Sequence, residues 1–263
     1  MSVNILEINN LSLCFPEINF HAINNSKFSI KQSSVLALVG ESGSGKSLTA
    51  LSLLGLEPSN ALIKGVIKFN GQYLLNNEEF IPCSTRKYPD LIRGIKISYI
   101  PQDPLSSLNP MYSIFDQLFE AVKVANVKIT KEQTRLLCFE LLDKVGIPDI
   151  DRVLTSYPHE LSGGMRQRVM IAMAVINNPD LIIADEPTTA LDVTVQANVL
   201  KLLKELKQTI LFITHDLGVV AEIADEVVVM QKGNIVEQQD VFSLFESPRE
   251  SYTKSLLEAV LSI

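Results

Sequence analysis

The residues best suited to chemistry begin with a glycine-rich stretch of eight. It fits the spacing G-x-x-x-x-G-K-[ST] and consists of Gly40, Glu41, Ser42, Gly43, Ser44, Gly45, Lys46 and Ser47. Glycines let successive backbone N–H groups turn towards phosphate oxygens, and a following helix presents its positive N-terminal end. Lys46 adds a charge for the β and γ phosphates, and the Ser47 hydroxyl can bind Mg²⁺. The stretch predicts a phosphate-binding loop; the alternative is a glycine-rich turn with an exposed lysine.

Two adjacent carboxylates, Asp185 and Glu186, end an apolar run over residues 181–184. Because neighbouring side chains on an extended chain diverge, the two groups can do different jobs. We expect Asp185 to face a Mg²⁺ shell and Glu186 to reach an attacking water as a general base. Beside a phosphate-binding loop, this pair predicts phosphoryl transfer. The alternative is a solvated strand end before Pro187.

A second candidate anion site opens a helix at residues 162–164. Ser162 is a good N-cap, and Gly163 and Gly164 expose backbone N–H groups at the helix start. Apolar residues follow at the i, i+3, i+4 and i+7 positions counted from Val169. An ordinary capped core helix has the same spacing and remains the alternative.

The elements that must position these residues follow from the hydrophobic pattern. Short apolar runs at 35–39, 181–184, 210–213 and 227–230, separated by helix-length stretches, predict a parallel sheet covered by helices. Residues 3–31 and 63–74 alternate apolar and polar side chains, which favours a small antiparallel sheet. The middle of the chain, about 103–160, is more helical, and we expect a surface loop at 76–90.

Composition argues against a nucleic-acid-binding protein, a transmembrane protein and a disulfide-stabilised protein. The 263 residues include 30 acidic and 23 basic side chains, a formal charge of −7, and no basic stripe, so nucleic acid is a poor first candidate for a partner. The apolar runs are four or five residues long, whereas a transmembrane helix needs about 20. The three cysteines are far apart in sequence, which favours a reducing compartment over a disulfide framework.

Taken together, these motifs resemble the nucleotide-binding subunits of ABC transporters. The stretch LSGGMRQ, residues 161–167, is similar to the signature motif of that family. The resemblance implies four further roles, which it assigns to the Q-loop glutamine Gln102, the D-loop residue Asp192, the switch histidine His215 and the adenine-stacking Phe15, with Phe20 as a rival for Phe15. It also implies that Gln102 contacts Mg²⁺ and water.

The resemblance implies an α/β fold of the P-loop NTPase type. The expected parts are a mixed, mainly parallel core sheet, a small antiparallel β subdomain and an inserted helical subdomain. Residues 1–263 would form one ABC ATPase domain, with 1–102 and 162–263 as the core and about 103–161 as the helical signature subdomain.

The implied activity is hydrolysis of ATP with Mg²⁺ to power an importer. Two cassettes, identical or paralogous, would form a head-to-tail dimer in which Ser162 and Gly164 of one bind the ATP held by Lys46 of the other. The expected partners are two membrane-spanning permease subunits and, indirectly, an extracytoplasmic substrate-binding protein, but not nucleic acid. The expected location is peripheral, at the cytoplasmic face of the bacterial inner membrane.

The resemblance extends to the branch that imports nickel and peptides. It rests on ADEPTTALD at 184–192, DPLSSLNP at 103–110 and Tyr252-Thr253 near the end. No cysteine cluster follows, which favours the shorter, nickel-importing type, and 109–120 is the candidate docking segment for the permease. Ser33-Ser34 departs from the Gly-Glu usual there. The alternative function is an ABC-type ATPase of DNA repair or chromosome organisation.

Overall fold

The structure is a computed structural model that describes residues 3–89, 91–103, 107–188 and 193–261. The strands are, in chain order, β1 (Asn4–Phe15), β2 (Phe20–Lys31), β3 (Val35–Val39), β4 (Leu62–Phe69), β5 (Gln72–Pro82), β6 (Ile97–Ile100), β7 (Leu181–Asp185), β8 (Thr209–Thr214), β9 (Glu226–Gln231) and β10 (Asn234–Asp240). The described helices are α1 (Lys46–Leu54), α2 (Ile114–Ala125), α3 (Lys131–Lys144), α4 (Ile150–Thr155), α5 (Gly163–Val175), α6 (Val193–Glu205), α7 (Leu217–Ile223), α8 (Val241–Glu246) and α9 (Ser251–Leu261). They belong to two compact units, residues 1–90 with 209–263, and residues 91–208.

The first unit contains the predicted antiparallel sheet, whose strand order is β2-β1-β4-β5. Strand β4 buries every second residue, so the alternation seen in the sequence marks one face packed inward and one facing out. The prediction of a small antiparallel sheet is thereby confirmed, but the sheet extends beyond residue 74 because β5 continues to Pro82.

The prediction of a surface loop at 76–90 is wrong for residues 76–82. Residues 76–82 belong to β5, and the Arg86 side chain that follows is only 3 % exposed. Arg86 forms an ion pair with Glu57 and donates to the carbonyl of Ser52 (2.8 Å), while the hydroxyl of Tyr88 donates to the carbonyl of Leu53 (2.7 Å). This segment therefore satisfies the last carbonyls of α1, a role that hydrophobic patterning cannot reveal.

The first unit also holds the strands that position the glycine-rich loop. Strand β3 is buried at all five residues and pairs in parallel with β8 on one side and β9 on the other, while β10 runs antiparallel to β9. Val39 lies opposite Thr214 of β8 and Val229 of β9. The carboxyl ends of three parallel strands therefore meet where the loop begins, the edge at which open α/β sheets bind ligands.

Helix α1 begins at Lys46, within the glycine-rich stretch, and ends at Leu54, with Gly55 as its C-cap. Gly55 has a φ of +63°, and its N–H bonds to the carbonyls of Leu51 and Ser52, as expected of a glycine that stops a helix. The loop is thus followed by a short helix with a defined end.

The second unit contains the parallel pair β6 and β7 and five described helices, α2–α6. Helix α3 begins with a capping box between Thr130 and Gln133, and its buried face includes Cys138 and Leu142. Burial raises the pKa of the Cys138 thiol to about 12, so the group stays neutral within the core.

The predicted subdomain boundary at 103–161 stays a prediction. None of the helices in the described ranges is long and apolar enough to cross a membrane.

Candidate functional site

The glycine-rich loop packs so closely against its neighbours that two of its positions require glycine. A Cβ atom on Gly40 would lie 2.1 Å from the carbonyl oxygen of Met230, and one on Gly45 would lie 2.5 Å from that of Ala22. The φ angles of Gly40 and Gly45, +151° and +107°, are also unfavourable for other residues. The loop conformation is therefore specified by both local backbone freedom and tertiary contact.

Lys46 lies inside the loop and not in solvent. Its side chain is buried, and Nζ donates to the carbonyls of Gly40 (2.7 Å) and Glu41 (2.8 Å). Ser47 is exposed in the first turn of α1. The ammonium group is thus held by the same backbone that is expected to surround phosphate.

His215 follows β8 in the same unit. Because Thr214 lies opposite Val39, the residues after both strands emerge at one edge of the sheet. Asp216 accepts the N–H groups of Gly218 (2.8 Å) and Val219 (3.3 Å), which starts α7 immediately after the histidine. His215 therefore stands at a fixed point between a strand end and a capped helix.

The two rival adenine-stacking residues form one aromatic pair. Phe15 and Phe20 are opposite each other in the β1–β2 hairpin, with ring centroids 6.4 Å apart and ring planes 20° apart. Phe20 is 48 % exposed, and Ala22, two residues further along β2, lies against Gly45 of the loop. The hairpin thus brings both rings to the side of the loop, and the choice between them stays open.

In the second unit, the carboxylate of Asp185 is nearly buried at the end of β7. It accepts a hydrogen bond from the Tyr99 hydroxyl on the neighbouring strand β6 (3.0 Å). Burial, with the charge of Asp185 and this hydrogen bond, raises the pKa of Tyr99, so its hydroxyl remains a donor. The sequence analysis missed Tyr99; the available signal was a phenol in a short strand otherwise made of two isoleucines and a serine.

Glu186 has a strained backbone and a polar partner. Its φ of +47° lies in the left-handed region, where a non-glycine residue costs roughly 1–3 kcal/mol and is held by its surroundings. Gln102 follows β6 and donates through Nε2 to Oε2 of Glu186 (2.8 Å). Because Ile100 pairs with Ala184 in parallel strands, Gln102 and Glu186 both follow the carboxyl ends of two neighbouring strands. The structure therefore brings these two sequence-predicted residues into direct contact.

The LSGGMRQ stretch opens α5 as expected. Ser162 is the N-cap, and its Oγ accepts the N–H of Met165 (3.3 Å). Gln167, buried one turn further, donates to the carbonyl of Pro187 (2.6 Å), the residue after Glu186. The helix start is thereby bonded to the segment that carries the Glu186 carboxylate. Gly163 is exposed and Gly164 half-buried, while Asp192 lies outside the described residues.

A family model described as "ABC transporter" matches residues 23–189, which is more than half of the chain. The chain belongs to the ABC transporter family. It is therefore an ABC ATPase cassette that binds a nucleotide, and the α/β fold inferred from its motifs is confirmed.

Curated relatives and solved structures agree with this assignment. The chain is 47 % identical over 264 residues to the oligopeptide transport ATP-binding protein OppD of Lactococcus lactis, covering 98 % of this chain and 76 % of that protein. It is 42 % identical to the glutathione import ATP-binding protein GsiA of Escherichia coli, covering 98 % of this chain and 42 % of GsiA.

The solved structures that resemble the chain are ABC cassettes. One is cbiO1 from Clostridium perfringens, at 28 % identity and a TM-score of 0.73, with 93 % of this chain and 91 % of that chain covered. Another is the cassette MJ0796, described as a dimer in a post-hydrolysis state bound to ADP and phosphate. It has 26 % identity, a TM-score of 0.74 and coverage of 90 % and 98 %.

The side chains assigned to Mg²⁺ in this ABC cassette have suitable chemistry. Magnesium prefers oxygen donors and is usually bound by one or two carboxylates together with substrate phosphates. Asp185 supplies a nearly buried carboxylate, Ser47 a hydroxyl and Gln102 an amide oxygen. No group of three or more His, Cys, Asp or Glu forms a metal centre within the described part of the chain.

Proposed function

We propose that this cassette hydrolyses ATP with Mg²⁺ to drive the import of small peptides. The observation that carries the proposal is the contact between Glu186 and Gln102, because it gives the strand-end carboxylate that we assign as hydrolytic base a fixed polar partner. The family shows that the chain is an ATPase cassette, and the residue roles and the substrate are our proposal.

ATP binding rests on the loop at 40–47 and the α1 helix that follows. Backbone N–H groups of the loop and the first turn of α1 bind the β and γ phosphates, and Lys46 exchanges its two carbonyl partners for phosphate oxygens. Phe15, or Phe20 beside it, stacks on adenine, since stacking needs only an accessible aromatic face.

Hydrolysis uses Glu186 as the general base. Its carboxylate accepts a proton from water while the water oxygen bonds to the γ phosphorus and the bond to the bridging oxygen of ADP breaks. Gln102 orients this carboxylate, and His215 donates to the γ phosphate. Bound Mg²⁺ supplies positive charge to the phosphate oxygens, and Asp185, Ser47 and Gln102 are the residues we assign to hold it.

A second cassette completes the reaction. The N–H groups exposed at the start of α5, with the Ser162 hydroxyl, bind the triphosphate held by the partner cassette. Exposure of Ser162 and Gly163 supports this role, because residues that meet a partner must be accessible. Whether the partner cassette is identical or paralogous stays open.

Peptides are the proposed cargo, because the relatives at 42–47 % identity are named for oligopeptide and glutathione transport, and glutathione is itself a small peptide. Nickel, which the sequence analysis favoured, stays a prediction. The permease and an extracytoplasmic binding protein would select the cargo, so the cassette supplies the energy and not the specificity.

The permease is expected to dock on the second unit, which keeps the cassette at the cytoplasmic face of the membrane. An apolar groove of about 470 Å³ is lined there by Tyr99, Pro101, Val124, Met170 and Met173, among others. Met111 and Tyr112, 78 % and 53 % exposed, precede α2, which begins at Ile114 and not at residue 109. An apolar groove and exposed apolar side chains in the same unit support docking of a permease segment.

Two variants test the hydrolytic roles in the complex co-purified with its permease. Lys46→Ala should abolish ATP binding, and Glu186→Gln should bind ATP at near wild-type affinity while losing nearly all turnover and trapping a dimer. ATPase rate, nucleotide binding and size-exclusion mass are the measurements. Wild-type turnover in Glu186→Gln would remove this residue from the role of base.

Cargo is tested by transport into proteoliposomes that contain the same complex and its binding protein. We expect ATP-dependent uptake of labelled di- and tripeptides, with Glu186→Gln as the matched inactive control. Uptake of ⁶³Ni²⁺ without peptide uptake would contradict the peptide proposal and leave the ATPase proposal intact. A Met111→Cys variant should cross-link to the permease, and absence of any co-purifying membrane subunit would contradict import.

A further inference from the structure

Two elements outside the phosphate loop hydrogen-bond to its backbone. The N–H of Gly233, in the turn between β9 and β10, donates to the carbonyl of Ser44 (2.9 Å). The N–H of Glu41 donates to the hydroxyl oxygen of Tyr252, in the first turn of α9 (3.1 Å). The second bond is notable because 211 residues separate its partners, and a phenol is the acceptor of a loop amide.

The position of Tyr252 is fixed by a buried carboxylate. Glu237 of β10 accepts the N–H groups of Arg249 (2.8 Å) and Glu250 (3.2 Å), the two residues that immediately precede α9. Burial alone would raise the pKa of Glu237, but the hydrogen bonds to it outweigh that effect and lower the pKa, so the group is a carboxylate at neutral pH. The start of α9 is therefore anchored to β10 two residues before Tyr252.

Packing holds the tyrosine as well. Its ring lies against the hydrophobic cluster of the first unit, which includes Val220, Val241 and Leu257. Burial raises the pKa of Tyr252, so the phenol is neutral, and its ring direction is set by α9 and not by solvent. A half-buried ring with an anchored backbone gives the hydroxyl a defined place beside the loop.

The backbone N–H and the backbone carbonyl of Glu41 both have hydrogen-bond partners. Its N–H bonds to Tyr252, and its carbonyl accepts Nζ of Lys46 (2.8 Å). When Lys46 turns to phosphate, the carbonyl loses that donor, whereas the bond that the Glu41 N–H donates to Tyr252 does not depend on the lysine. The tyrosine therefore keeps the second residue of the loop in place while the lysine changes partners.

We propose that Tyr252 is a positioning residue for the phosphate loop, through which α9 and β10 keep the loop in the shape that binds nucleotide. The inference rests on the proposed role of residues 40–47 in phosphate binding. Because Tyr252 contacts the loop and not the reacting atoms, it should contribute to nucleotide affinity and not to the hydrolytic step.

The test is the affinity of the full-length chain for fluorescent ATP and ADP analogues. Tyr252→Phe keeps the ring and removes only the hydroxyl. Because one hydrogen bond is lost, the Kd of both nucleotides should rise about 3- to 10-fold. In the complex, KM for ATP should rise by the same factor while kcat stays within about twofold. Tyr73→Phe, which removes a hydroxyl from an exposed position on β5, is the matched control.

Glu237→Gln provides the second variant. It should weaken nucleotide binding in the same direction, and the double variant with Tyr252→Phe should lose less than the product of the two single effects, because both act through one contact. Wild-type Kd values in Tyr252→Phe, or an equal loss in Tyr73→Phe, would overturn the proposal provided that Lys46→Ala abolishes binding. Retained binding in Lys46→Ala would instead remove the loop assignment on which the proposal rests.

Discussion

The contact between Arg86 and the end of α1 gives a sharp prediction about stability. The side chains of Arg86 and Glu57 are 3 % and 2 % exposed, and they form an ion pair. Arg86 also donates to the carbonyls of Ser52 (2.8 Å) and Leu74 (3.1 Å), so it joins the helix that follows the phosphate loop to the antiparallel sheet. Arg86→Met removes the charge and all three contacts while keeping an unbranched side chain.

The expected loss is large because a buried charge loses its partner. Removing one member of a buried ion pair costs about 3–5 kcal/mol, whereas an exposed pair contributes at most about 1 kcal/mol. For a protein of this size the larger loss corresponds to a fall in Tm of roughly 6–20 °C. Lys31→Met is the matched control, since Lys31 and its partner Glu226 are 48 % and 23 % exposed.

Urea denaturation and calorimetry of the nucleotide-free chain measure the effect. Glu57→Met should destabilise the chain to a similar extent, and the Arg86→Met/Glu57→Met double variant should lose much less than the sum, because neither charge then remains buried alone. If Arg86→Met lost no more stability than Lys31→Met, or if the two buried substitutions were additive, the reasoning from burial and pairing would be refuted.

Three further predictions concern Tyr99, Ser33 and Glu237. Tyr99→Phe should raise the Mg²⁺ concentration for half-maximal ATPase activity by about 10-fold, and the Kd for Mn²⁺ in the presence of ATP by the same factor, because Asp185 loses its hydrogen bond. Tyr73→Phe, at an exposed position, is the unchanged control. Ser33→Gly should raise the free energy of unfolding by about 0.5–1 kcal/mol, because Ser33 has a φ of +58°; a lower urea midpoint would contradict it. Because folding lowers the pKa of Glu237, the stability it contributes is complete above its ordinary value of 4.5 and is lost as the pH falls through its folded value. Glu237→Gln should therefore flatten the acid side of the urea-midpoint profile, and an unchanged profile would contradict this.

Sequence reasoning succeeded where a feature is encoded locally. The apolar run before Asp185 became a fully buried strand, and Ser162 became the N-cap of α5, because both depend on a few consecutive residues. The loop at 40–47 is likewise a local spacing followed by a helix. Ser33 is another locally encoded feature. It departs from the glycine usual at this position, and its φ is positive, a conformation that glycine adopts more easily than serine.

Sequence reasoning failed where a role depends on a distant partner. Arg86 lies in a polar stretch that resembles a surface loop, yet it is buried because Glu57 and two backbone carbonyls receive it. Tyr99 and Tyr252 show no periodic signal for their hydrogen bonds, which join them to Asp185 and Glu41 across 86 and 211 residues. Hydrophobic periodicity indicates which face of a helix or strand is buried, but it does not indicate which polar groups form hydrogen bonds with each other.

The carbonyl contacts of Lys46 bear on what happens after a turnover. The ammonium group has two acceptors within the loop, at 2.7 and 2.8 Å, and these carbonyls can satisfy the buried charge whenever phosphate leaves. Phosphate must displace these acceptors from Lys46. The free energy gained on binding is consequently smaller than the lysine–phosphate attraction alone would give. The same two carbonyls can therefore take up the lysine each time phosphate leaves the loop.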